Sequence, residues 1–146
     1  MKLNFAFSLL LLATYTFGQA PKFDWVKQEG NGSEDFGWKI RKASNGDLFL
    51  AIAFKGSTTV NGTIYTQLGA TNYDFLICKY DNAGFFQWAK QLYETSGNLS
   101  FPEIEIDGSD NLYVILSYKS LLNFDGNNYA PLLGQTPRGI FGAKLN

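Results

Sequence analysis

The sequence predicts an all-β protein built from antiparallel sheets, and three observations predict it. Aromatic residues make up 16% of the 146-residue chain, mainly 13 Phe and 8 Tyr, and 15 Gly punctuate the polar stretches between apolar runs. That composition favours strands and turns over helices. "DWVKQ" (Asp24–Gln28) and "QWAKQ" (Gln87–Gln91) repeat a Trp-x-Lys-Gln pattern, with Trp25 and Trp88 63 positions apart (88 − 25). The run from Leu48 to Phe54 is apolar on both faces of a period-two pattern, as a strand covered on both sides requires.

Taken in order, the chain opens with an expected signal peptide at residues 1–18. Lys2 supplies the positive start, "LNFAFSLLLLA" (Leu3–Ala13) the apolar stretch, and "TYTFGQA" the small and polar residues of a cleavage region. Cleavage is placed after Gly18, since a cut after Ala20 would set Pro21 beside the scissile bond. The apolar run is shorter than the roughly 20 residues of a spanning helix. The expected product is therefore secreted or held at the cell surface, without membrane insertion. No cysteine stands in the cleavage region, which removes the bacterial lipoprotein alternative.

Two β-units are expected to follow, 19–87 and 88–146, the second truncated at its C-terminal end. "DLFLAIAFKG" (Asp47–Gly56) matches "NLYVILSYKS" (Asn111–Ser120), placing Leu48 on Leu112. "VNGTIY" matches "FDGNNY", with Gly62 on Gly126, and one inserted residue later "DFLICKY" matches "GIFGAKL", with Lys79 on Lys144. Within each unit, Trp25 and Trp88 are expected on opening strands of their own. Next come strands at "GWKIRKA" and "FPEIEID", hairpin turns at "SNGD" and "DGSDN", and a central strand. Both central strands, Leu48–Phe54 and Leu112–Tyr118, are expected to be buried on both faces. Small antiparallel sheets covered on both faces are the situation of blades in a β-propeller, here about two blades.

The succession of Trp, "DGSDNLYV" (Asp107–Val114) and "DFLICKYDNAGFFQW" (Asp74–Trp88) resembles the SBBP-type β-propeller repeat of secreted bacterial proteins. The resemblance covers nearly all of 23–146. It implies an exported, multi-bladed propeller within a larger surface protein, and no catalytic residue carries over from it. Closed propellers typically have four or more blades. The chain is thus expected to be an incomplete propeller or a fragment, completed by further blades or by self-association.

Candidate sites are few. The chain has no histidine, which excludes Ser-His-Asp and Cys-His chemistry and the common zinc sites. Its one cysteine, Cys78, lies within an apolar run and reads as a buried, inert thiol. Asp107, Ser109 and Asn111 alternate as calcium ligands might, but the sixth and twelfth loop positions fall on Leu112 and Tyr118, where an EF-hand needs Gly and Glu. No metal or cofactor is expected.

Glu103, Glu105 and Asp107 fall on one face of a strand and could line a sugar groove. The aligned Lys39 and Arg41 suggest instead an opposite-sign pairing between units. Trp38 is the best candidate for stacking on a sugar, because its counterpart is Pro102. The net charge of −1 gives no attraction to nucleic acid. The leading expectation is a non-catalytic scaffold or interaction module with an unknown protein or glycan partner. The rival is a carbohydrate-binding or carbohydrate-active module using Trp38, Glu103, Glu105 and Asp107.

Overall fold

The turn residues divide the chain where the sequence pattern places them. In the computed structural model, which describes residues 24–31, 34–70, 72–97, 99–131 and 138–146, every paired strand is antiparallel to its neighbour. The expected signal peptide lies outside the described residues.

Strands β1 (Glu34–Lys42) and β2 (Leu48–Lys55) are joined at "SNGD", where Ala43 N donates to Asp47 O at 2.8 Å and Gly46 takes φ +94°. The hairpin β3 (Ser57–Val60) and β4 (Thr63–Thr66) follows, then β5 (Asp74–Tyr80) and β6 (Phe86–Glu94). β7 (Glu103–Ile106) and β8 (Leu112–Tyr118) are joined at "DGSDN", where Asp107 N donates to Asn111 O at 3.1 Å and Asp110 takes φ +63°. A second short hairpin, β9 (Leu122–Phe124) and β10 (Asn127–Tyr129), precedes β11 (Gly139–Leu145). Both short hairpins turn on left-handed pairs, Asn61-Gly62 (φ +48° and +76°) and Asp125-Gly126 (φ +52° and +82°). Such pairs match the twist of the flanking strands.

A large sheet has the order β1-β2-β5-β6-β9-β10 and a small sheet the order β11-β8-β7, while β3 and β4, among the described strands, pair with each other alone. The front of the large sheet packs on the back of the small one. Phe49, Ala51, Ala53, Phe75, Ile77 and Leu92 on one side meet Ile104, Leu112, Val114, Leu116 and Phe141 on the other. Each fully buried Phe, Leu, Ile or Val side chain among them contributes about 1.5–3 kcal/mol against exposure. A second cluster covers the back of the large sheet, where Ile52, Phe54, Leu76, Cys78 and Tyr80 gather with Val60.

Burial of β2 on both faces thus matches the expectation, but two others need correction. β8 is buried on one face only, because no element among the described residues covers Tyr113 and Ile115, which are 41% and 53% exposed. Trp25 lies on no strand: its backbone has no sheet neighbour among the described residues, and its indole rests instead on the Asn82–Gly84 turn. Trp88, in contrast, lies within β6 of the large sheet, so the chain passes from one sheet to the other between Glu94 and Glu103. The described strands form neither a closed barrel nor a closed ring.

Candidate functional site

The seam between the sheets is built by β1 and β7, and a bulge shapes it. Gly37 pairs with Ile52 and Lys39 with Ala51, which leaves Trp38 as an extra residue outside the alternation. A bulge re-aims the side chains around it. Here Lys39 and Arg41 share the front of the sheet, while Trp38 turns onto Phe101 with ring centroids 4.4 Å apart. The Trp38 indole N–H donates to Pro102 O at 3.1 Å. Phe36, Tyr73 and Phe75 close around the same Phe101 ring at 5.2–6.2 Å.

The expected opposite-sign pairs are present. Lys39 Nζ donates to Glu103, and Arg41 Nε and Nη2 grip the two oxygens of Glu105 at 3.0 and 2.5 Å. Trp38 and Pro102, Lys39 and Glu103, and Arg41 and Glu105 are each 64 positions apart. Like-placed residues therefore meet, and β1 and β7 run side by side in the same direction. Ser44 extends the seam, its N–H and hydroxyl both donating to Asp110 at 2.7 and 2.6 Å.

These bonds decide what the carboxylates can do. Hydrogen bonds from Arg41 hold Glu105 below its ordinary pKa. Asp107 is pulled well below the ordinary carboxylate range by Asn111, through both side chain and backbone, and further by the Ser109 N–H and the Tyr113 hydroxyl. Ser44 lowers Asp110 in the same way. A general acid needs the opposite, a carboxyl kept protonated near neutral pH. Asp107 is a turn organiser that accepts five hydrogen bonds at 2.9–3.0 Å from Ser109, Asn111 and Tyr113. No group of three or more metal-ligating side chains occurs among the described residues.

The remaining signature residues divide between matched and unmatched surroundings. Lys79 lies over the Phe49 ring at 5.3 Å, and Trp88 packs on the same ring at 6.0 Å. Lys144 lies over Tyr113 at 5.6 Å, but no Trp packs there among the described residues. With Ile115 and Ile140, Tyr113 forms an uncovered apolar face on the front of the small sheet. On the far side, the back of the large sheet carries a groove of about 370 Å³ lined by residues including Trp25, Lys27, Ile40, Leu50 and Tyr80.

Sequence reasoning missed Phe101 as the aromatic hub, since the residue stands alone between turn and strand. It also missed buried Glu94, whose Oε1 accepts the Lys119 and Ser120 N–H groups and ties β6 to the end of β8. No protein-family model matches the chain, nor does any curated protein or solved structure.

Proposed function

We propose that the chain is an exported, propeller-type β-repeat module with a scaffold or protein-interaction role and no catalysis of its own. The observation that carries this reading is the apolar face of Tyr113, Ile115 and Ile140, presented on an ordered sheet and left uncovered. Contiguous exposed apolar surface of this kind marks an association site. Further support comes from the meeting of residues 64 apart along the seam, which is how consecutive blades around one axis would touch. The three carboxylates best placed for sugar chemistry are already engaged, Glu103 by Lys39, Glu105 by Arg41 and Asp107 by its own turn. The resemblance to SBBP-type repeats accords with export.

Cell fractionation combined with N-terminal sequencing and a glycan panel tests the proposal. It predicts a chain outside the cytoplasm that begins near Gln19 and is retained by no glycan. Retention on a defined glycan, abolished by Trp38→Ala, would replace it with the carbohydrate-binding alternative.

A further inference from the structure

The front of the large sheet is buried within the chain, whereas the equivalent front of the small sheet is open. Phe49, Ala51 and Phe75, on the front of the large sheet, are 2%, 0% and 1% exposed. Their counterparts on the front of the small sheet, Tyr113, Ile115 and Ile140, are 41%, 53% and 77% exposed. On the backs the difference is confined to the inner strand, where Ile104 is 0% exposed and its counterpart Ile40 56%, while Ile52, Phe54 and Leu76 beside it are buried. An uncovered front on the small sheet and a groove beside Ile40 on the back of the large sheet thus coexist in one chain.

The edges are complementary in the same sense. β5 is paired on both sides, by β2 and β6, whereas its counterpart β11 pairs only with β8 among the described residues. The strand missing beside β11 would be the counterpart of β6, and the only other Trp-x-Lys-Gln segment is Asp24–Gln28. One contact just beyond that segment matches β6. Gly30 N donates to Thr59 O at 2.7 Å, binding its far end to β3 just as the end of β6 pairs with β9. Residues 24–28 themselves make no sheet pairing.

Resting on the reading of the sheets as equivalent units, we propose that the front of the small sheet docks a second copy of this chain, which lays its Asp24–Gln28 segment along β11. β5 and β6 pair Cys78 with Ala89 and Lys79 with Trp88. Carried to the proposed contact, that register sets Val26 of the second copy opposite Ala143, and its Trp25 opposite Lys144. Trp25 then covers Tyr113 as Trp88 covers Phe49, beneath the same lysine. Glu103 and Glu105, paired within the chain to Lys39 and Arg41 yet still 52% and 67% exposed, would also lie beside Lys39 and Arg41 of the incoming copy. The contact is head-to-tail, so it closes only as a ring. Two or three chains would supply about four to six sheets, within the range of closed propellers.

The test is a full chain carrying Val26→Cys and Ala143→Cys, oxidised mildly and run on a denaturing gel. Expected is an efficient cross-link between chains, lost when Ile115→Lys is added and much weaker for the off-register pair Lys27→Cys with Ala143→Cys. No cross-link, an equal yield off register, or a cross-link insensitive to Ile115→Lys overturns the proposal. Should the cysteine variant fail to fold, Ile140→Lys, at a solvent-exposed position, must convert the assembled wild-type chain to monomer. A wild-type chain that is already monomeric, or a variant that stays assembled, overturns it equally. Such failures concern self-docking alone, since the glycan and fractionation outcomes test the broader role separately.

Discussion

Gly139 begins β11 at a point where the structure leaves no room for a side chain. A Cβ built there would stand 2.2 Å from Cε1 and Cζ of Tyr118, its register partner. Real carbon atoms cannot approach so closely, so Gly139→Ala must push the Tyr118 ring aside. That ring is 7% exposed, and its hydroxyl donates to Ala130 O at 3.1 Å. Overpacking of this kind costs about 1–3 kcal/mol, and the lost hydrogen bond about 1 kcal/mol more. Replacing a glycine also restricts the unfolded chain, which returns about 0.4–1 kcal/mol. The net expectation is a loss of about 1–3 kcal/mol, or roughly 2–9 °C in Tm for a chain of this size.

Urea denaturation measures the loss as a lower midpoint at unchanged slope. Tyr118→Ala removes the obstructing ring, so adding Gly139→Ala to it should cost almost nothing further. Unchanged stability in the single variant, or full additivity in the double, would refute the packing described for β8 and β11.

Charge reversal of Lys39 and Arg41 to Glu should lower the melting temperature, and adding Glu103→Lys with Glu105→Arg should restore most of it; absence of recovery would show that the seam is not held by these pairs. Stability should be level from neutral pH down to about pH 5 and fall below about pH 4. Glu105, Asp107 and Asp110 all lie below their ordinary values, so their contribution is complete above the unfolded pKa and is lost as pH falls through the folded one. Asp74, raised mainly by burial, acts in the opposite sense, and a stability maximum near pH 3 would mean that it dominates. Burial pushes the Cys78 thiol up to about 12, so a thiol reagent at pH 8 should modify the chain only in denaturant. Modification of the native chain at the rate of a free thiol would contradict that burial.

What the sequence made legible follows from local rules. Gly46 marks the turn expected at "SNGD", and Gly62 and Gly126, aligned in the sequence, share the same left-handed backbone. The Lys39–Glu103 and Arg41–Glu105 pairs were legible because aligned positions carried opposite charge.

The misses depend on neighbours that no local pattern encodes. β2 and β8 are aligned and both largely apolar, yet only β2 is covered on both faces, because burial is decided by what packs above. Likewise, "QWAKQ" is a strand while "DWVKQ" is not, since pairing needs a free edge within reach. The bulge that turns Trp38 onto Phe101 breaks the alternation from which its orientation would be read.

Sedimentation analysis of the full chain over a wide concentration range tests most directly whether these sheets are units seeking a like neighbour. The account predicts a discrete closed species of two or three chains, corresponding to about four to six sheets. A monomer at every concentration, or open-ended growth without a limiting size, would contradict it.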